Sequence, residues 1–347
     1  MRTPVEVGIV GTGERLVRLV RALDGVSRAR PRWVCDPTAE TLLAAAPRPR
    51  DPVRTTIHFE DLLLDEELDA IIVATPLQTH YELAWAALAA EKHVLLDPPG
   101  TELSEQFDSL VETAAQHARR LTVVQPLLFD DGIRKLRELI ELGRLGELYY
   151  LRVARCRGPA DPVPGDIWTL CAEPLAVLPY LLDDEPVEVS ARAESYDDAN
   201  GVEVVVSHFR FATGITVQLQ ASLLEARACS QVVVVGSRQM VVFDELESER
   251  KLTVYDRPTV LRGRTSRLGE IVCPQLRGGD PLVLALEHFV ERVRDPGPDR
   301  AAPGDGAAAV HLLDAVQRSI YLGNETVPIR GPTPAAARVI RLPVRRE

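Results

Sequence analysis

The tripeptide Gly11-Thr12-Gly13 constrains this chain more than any other short stretch, because of what stands on either side of it. Val5-Glu6-Val7-Gly8-Ile9-Val10 reads as a buried strand, and Leu16, Val17, Leu19, Val20 and Leu23 recur at helical spacing along Glu14–Leu23. Strand, glycine turn and helix in that order form a cradle for a dinucleotide phosphate. The first glycine permits the tight turn, the second lets backbone approach the pyrophosphate, and amides at the helix start meet its charge. Gly11, Thr12, Gly13, Glu14 and Arg15 are therefore the expected phosphate-binding turn. A second strand, Arg32-Trp33-Val34-Cys35, ends at Asp36, 23 residues beyond Gly13. That spacing suits the acid that binds ribose hydroxyls and favours NAD over NADP, with NADP as the alternative. The motif's third small residue falls at Leu16, whose bulk is expected to press the helix away from the strand.

Alternation of strand and helix continues through Leu68–Ala74, Thr79–Ala90, His93–Leu96, Ser104–Ala118 and Leu121–Val124. It implies an α/β fold with a parallel sheet and right-handed crossovers. Beyond it, Tyr149–Arg155, Val187–Glu194, Val202–Phe211, Ile215–Ala221, Gln231–Val235 and Gln239–Phe243 read as strands of a second sheet, with Thr213-Gly214 as a tight turn. In Val202–Phe211 the one-sided alternation partly breaks down, as expected of a strand covered on both faces. The expected domains are 1–126, a dinucleotide-binding Rossmann domain; 127–335, a substrate and oligomerisation domain; and a tail over 336–347.

Composition narrows the function. A net charge of −11 argues against a nucleic-acid partner. No apolar run approaches the roughly 20 residues of a membrane span. Met1-Arg2-Thr3-Pro4 leads directly into a strand without a signal-peptide core, so a cytoplasmic location is expected. The five cysteines are scattered without a C-x-x-C pair, which points to buried free thiols and no metal. Only Lys92, Lys135 and Lys251 are lysines.

Several separate stretches carry a family resemblance. Val73-Ala74-Thr75-Pro76-Leu77-Gln78-Thr79-His80, then Glu91-Lys92-His93-Val94-Leu95-Leu96, then Leu142-Gly143-Arg144-Leu145-Gly146-Glu147 resemble the Gfo/Idh/MocA oxidoreductases. Phe289-Val290-Glu291-Arg292-Val293 and the span from Gly304-Asp305-Gly306 to Gly323 are similar to that family's closing helices. The resemblance implies a Rossmann domain followed by an α/β domain with a large, mostly antiparallel open sheet that commonly serves as a homo-oligomer interface. It also implies a small-molecule substrate and a cofactor contacting Thr75, Pro76, His80, Asp97 and Pro98.

Three signatures depart from the family. Its Glu-Lys-Pro at the fifth strand end is here Asp97-Pro98-Pro99, so proline stands where the lysine handles substrate and proton. Its Asp and His, four apart on a substrate-site helix, are matched by Thr169 and Glu173. Its Arg and Pro after the sixth strand are altered around Gln125–Asp131. Asp97, Thr169 and Glu173 are the candidate catalytic residues. Glu173 in an apolar setting would favour a neutral, proton-donating form, or it is a helix cap or solvated acid. Pro174 is expected to begin a helix running through Leu182, which takes Thr169 and Glu173 off a common face. Asp130 and Asp131 are expected to be solvated at the head of a helix over Gly132–Gly143, and a cis bond is expected at Pro98 or Pro99.

The leading expectation is an NAD(P)-dependent oxidoreductase acting on a sugar, polyol or related cyclic alcohol or ketone. Its alternatives are a non-redox lyase or cyclase on the same scaffold, and a dinucleotide-sensing scaffold that engages a protein partner.

Overall fold

A computed structural model describes residues 4–38, 53–158, 166–196, 201–256, 259–261, 264–267, 269–295 and 306–330. The expected tail over 336–347 and the pair Gly304-Asp305 lie outside the described residues.

The chain divides into two compact units, residues 1–129 with 279–310, and residues 130–278 with 311–347. In the first, β1 (Val5–Gly11), α1 (Gly13–Asp24), β2 (Ala29–Cys35), β3 (Arg54–Thr56), α2 (Glu60–Leu64), β4 (Ala70–Ala74), α3 (His80–Ala89), β5 (His93–Leu96), α4 (Ser104–Gln116) and β6 (Leu121–Val123) follow in sequence. The strands form one parallel sheet in the order β3-β2-β1-β4-β5-β6. β1, β4 and β5 are buried almost throughout, as their unbroken apolar runs require. Leu16 does not push α1 away: it is fully buried, and α1 rests on β1 and β2.

The second unit opens with α5 (Asp131–Glu141). Asp130 is its N-cap, accepting the Gly132 N–H at 2.8 Å and pairing with Lys251 Nζ at 2.6 Å. It is buried, not solvated as expected, because the cap and the lysine together replace its water. β7 (Leu148–Cys156), α6 (Ile167–Leu182), β8 (Pro186–Glu194), β9 (Val204–Phe211), β10 (Thr216–Ser222), β11 (Cys229–Gly236), β12 (Gln239–Asp244), β13 (Leu252–Asp256), the small pair β14 (Thr259–Leu261) and β15 (Arg264–Arg267), and β16 (Ile271–Val272) follow. With β17 (Val327–Pro328), nine of these strands form an open sheet in the order β16-β13-β12-β11-β7-β10-β9-β8-β17, antiparallel except where β10 meets β7.

Two expectations fail here for physical reasons. β9 keeps its alternation: Val205, Ser207, Phe209 and Phe211 are buried while His208 and Arg210 are exposed. Only the half-buried Val204 and Val206 on the outer face blurred the sequence pattern. Pro174 does not begin a helix but lies inside α6, as does Pro179. An interior proline forfeits a hydrogen bond and costs about 3 kcal/mol. Against that, Ile167, Leu170, Leu175, Val177, Leu178 and Leu181 are buried along α6, each contributing roughly 1.5–3 kcal/mol. Asp166 caps the start by accepting the Thr169 N–H at 2.7 Å.

The contiguous domain spans expected from sequence also need correction. After the second sheet the chain returns to the first unit as α7 (Pro281–Arg294), and α8 (Ala307–Tyr321) follows. Leu282, Ala285, Leu286, Phe289 and Val290 make an apolar face on α7 that is buried, with contacts on α1, β1 and the turn at Pro126–Phe129. The rings of Phe129 and His288 lie 5.5 Å apart. Among the cysteines, Cys35, Cys156 and Cys171 are buried as free thiols, Cys229 is partly exposed and Cys273 is exposed, contrary to the expectation of uniform burial.

β5 is anchored at its start by an unusual acceptor: His93 Nδ1 takes the Arg120 N–H at 2.9 Å. Burial, then the charges of Arg119 and Arg120, lower the imidazole pKa from 6.5 to about 4. The folded pKa lies below the unfolded one, so the neutral ring's stabilisation is complete above about pH 6.5 and is lost as pH falls towards 4. His93→Asn keeps an acceptor in place of Nδ1 and does not titrate. Urea midpoints between pH 7 and 4 are expected to fall less steeply in this variant than in the wild type.

Candidate functional site

At the C-terminal edge of the first sheet the loops after β1, β2, β4 and β5 carry the residues singled out by sequence. Gly11 is forced by proximity, since a Cβ there would lie 2.9 Å from the Ala74 carbonyl oxygen. Gly13 is forced by conformation, with φ +65°, and a Cβ on it would meet nothing within 4 Å. Thr12 stands at the N-cap of α1 without a side-chain cap bond, so it leaves the first-turn amides unclaimed. Glu14 is exposed on that turn.

Asp36 follows β2 and is fully buried. Its Oδ1 accepts the Thr38 N–H at 2.7 Å and the Thr38 hydroxyl at 2.8 Å. Its Oδ2 has no hydrogen-bond partner. A buried carboxylate oxygen left unmatched is costly in the absence of a donor. The orphan oxygen, the open space at Gly13 and the unclaimed amides together fit the ribose and pyrophosphate of a dinucleotide.

After β4, Thr75 Oγ1 lies 2.7 Å from Thr79 Oγ1, which also lies 2.8 Å from the Pro76 carbonyl. His80 was expected to contact cofactor. It is 1% exposed, with Nδ1 2.9 Å from the Gly100 carbonyl and Nε2 2.8 Å from the Thr75 carbonyl. Each ring nitrogen thus lies at hydrogen-bond distance from a backbone carbonyl, with the tautomer setting which one receives the N–H, and His80 sits between the loop after β4 and the loop after β5.

Asp97 follows β5 directly and is buried, as are Pro98, Pro99 and Gly100. The Pro98–Pro99 bond is cis. Pro98 brings no ionisable group, but a cation is present: Arg15 on the first turn of α1 forms a salt bridge with Asp97. β4 lies between β1 and β5 in the sheet, so the Arg15 side chain spans its end. Sequence reasoning grouped Arg15 with the phosphate turn and missed this pairing, because only the strand order makes the two residues neighbours. None of the lysines substitutes for the missing one. Lys92 Nζ donates to the Asp65 carbonyl at 2.7 Å, Lys135 pairs with Glu138 and Lys251 with Asp130.

Thr169 and Glu173 belong to the second unit and Asp97 to the first. They stand four residues apart on the continuous α6, so they share a face after all. Glu173 is not in an apolar setting. Its Oε2 is 2.7 Å from Arg155 Nη2, while Arg155 Nη1 is 2.9 Å from Glu245 Oε2. Ser230 donates to the same Glu245 oxygen at 2.6 Å. Arg155, at the end of β7, was not anticipated; an arginine two positions from a core valine in an alternating strand was its sequence signal. Tyr180, further along α6, lies against the Arg137 guanidinium at 4.5 Å, and burial raises its phenol pKa despite Arg137. Among the described residues no cluster of His, Cys, Asp and Glu is arranged to hold a metal, and no helix is long and apolar enough to cross a membrane.

Residues 5–125 match the family model described as an oxidoreductase family with an NAD-binding Rossmann fold, and residues 133–242 match the GFO/IDH/MocA C-terminal domain. A myo-inositol 2-dehydrogenase of Thermotoga maritima is 26% identical over 273 residues, 75% of this chain and 80% of that protein. An uncharacterised oxidoreductase of Schizosaccharomyces pombe is 30% identical over 149 residues, 42% of this chain but only 40% of that protein. An oxidoreductase from Agrobacterium radiobacter, solved with NAD+, L-tartaric acid and magnesium, superposes with a TM-score of 0.79 at 17% identity, covering 94% of this chain and 99% of that one. With both family domains matched in order along one chain, this protein belongs to the Gfo/Idh/MocA oxidoreductase family.

Proposed function

We propose that the protein is an NAD(P)-dependent oxidoreductase acting on a sugar, polyol or related cyclic alcohol or ketone, with NAD as the preferred cofactor. The observation that carries this reading is the buried, unpartnered Asp36 Oδ2 beside an open glycine turn. Gly11, Thr12, Gly13 and Asp36 would hold the dinucleotide, with Thr75, Pro76 and Asp97 lining the same edge. When bound, the nicotinamide supplies hydride exchange with a carbon of the substrate.

What the chain's own groups do differs from the family pattern. Arg15 brings positive charge to Asp97 where Pro98 supplies none. A guanidinium remains protonated, so it can stabilise negative charge on an oxygen but does not accept a proton. Glu173 is held as the partner of Arg155. Loss of a positioned acid–base group typically costs about 10²–10⁴-fold in rate. The same replacements favour a second reading, in which the chain is a dinucleotide-sensing scaffold with little turnover or a non-redox enzyme.

Thermal melts with NAD(H) and NADP(H) test the first step. Binding at 100 times the Kd contributes about 2.7 kcal/mol, so a rise of several degrees is expected. No shift from either dinucleotide at millimolar concentration would remove the oxidoreductase reading. Absorbance at 340 nm across cyclic polyols, sugars and ketoses then separates enzyme from scaffold, and Pro98→Lys is expected to raise turnover on any substrate found.

Glu173 yields to a double-mutant cycle. Arg155→Met leaves Glu173 and Glu245 without their shared cation and is expected to cost about 2 kcal/mol in urea unfolding. Adding Glu173→Gln should recover part of that loss if Glu173 serves chiefly as the arginine's partner; strictly additive losses would contradict it.

The outer face of the nine-stranded sheet exposes Tyr150, Arg152, His208, Arg210 and Gln218. On the resemblance to the family we assign this face to homo-oligomer formation. Light scattering is expected to give a mass above one chain, reduced by Tyr150→Glu.

A further inference from the structure

We propose that Thr38 is a positioning residue that sets the preference of the first unit for a dinucleotide with a free ribose 2′-hydroxyl over one with a 2′-phosphate. The inference rests on the dinucleotide reading above and concerns how Asp36 is held, not whether the fold has a nucleotide crevice.

Asp36 stands at the end of β2 with no solvent exposure, so its carboxylate has exchanged water for whatever the protein supplies. The supply is lopsided. Oδ1 receives two hydrogen bonds, both from Thr38, at 2.7 Å from the main-chain N–H and 2.8 Å from the hydroxyl. Oδ2 receives none. Turning the carboxylate about its bond to Cβ would break both Thr38 bonds at once. The group is therefore fixed with one oxygen saturated and the other vacant as an acceptor. A ribose hydroxyl can donate to that vacancy. A 2′-phosphate has no proton to donate near neutral pH and sets a second negative charge against the carboxylate.

The main-chain bond does not depend on the side chain at position 38 so long as it is not proline, whereas the second bond needs a hydroxyl there. Without it Asp36 gains freedom to turn away, which weakens the hold on a 2′-hydroxyl and relaxes the penalty on a 2′-phosphate. Both effects move the preference in one direction. This separates positioning from a general loss of stability, which would weaken both dinucleotides alike.

The test is titration of the full chain with NADH and with NADPH, followed by nicotinamide fluorescence, for the wild type, Thr38→Val and Thr38→Ser. The wild type is expected to prefer NADH. Thr38→Val, close to threonine in shape but without the hydroxyl, is expected to lower the ratio of the two affinities about tenfold, the worth of one hydrogen bond to a charged group. Thr38→Ser restores the donor and is expected to stay within about twofold of the wild-type ratio. Thr38→Ala replaces the valine variant if the latter fails to fold. A ratio unchanged in Thr38→Val, or an equal fall in Thr38→Ser, overturns the proposal and leaves the dinucleotide reading intact. A wild type that binds neither dinucleotide overturns both.

Discussion

The close approach of β1 to β4 governs the first unit. A side chain at Gly11 would collide with the Ala74 carbonyl, so this position must be glycine for the strands to pair to their ends. Pairing on that side, with β2 on the other, places the ends of β2, β1, β4 and β5 side by side. The loops that follow then deliver Asp36, the Gly13 turn, Thr75 and Asp97 to one edge. Their sequence separation is irrelevant to their neighbourhood. The Arg15–Asp97 pair shows the consequence, since residues 82 positions apart in the chain are bridged by one side chain across the end of β4.

The features fixed locally were legible from sequence. A run such as Val5–Val10 must be a buried strand, a glycine turn after it permits few conformations, and His93–Leu96 emerges with the bounds its apolar run implied. What escaped prediction depended on partners distant in the chain. Pro174 looked like a helix start because local propensity opposes an interior proline, yet apolar burial along α6 outweighs that opposition. The return of α7 to the first unit was hidden because an apolar helix face does not state which surface it will cover. The burial of Asp130 was hidden for the same reason, as its lysine lies 121 residues further on.

The candidate site divides along the same line. The glycine turn and Asp36 are defined by spacing, and the structure keeps them together. The substituted positions could be recognised as substitutions, but their new roles could not. Glu173 looked like a carboxylic acid available for proton transfer until Arg155, held in a neighbouring strand, appeared beside it. The guanidinium at hydrogen-bond distance occupies that carboxylate, and a further carboxylate on the same arginine restrains the cation in turn.

The two replacements have a common physical character. In each unit a position where the family places a titrating side chain is now associated with an arginine–carboxylate pair: Arg15 with Asp97, Arg155 with Glu173. Arginine does not exchange its proton in the range where proteins work, so each pair is a fixed dipole and not a relay. A fixed dipole can orient a hydroxyl or stabilise charge developing on oxygen, both of which operate without proton transfer. On the proposed reading, this shifts the burden of catalysis from acid–base exchange to positioning and electrostatics. Proton exchange would then fall to solvent or to the substrate's own hydroxyls, which places a premium on substrates whose neighbouring hydroxyls can themselves carry the proton.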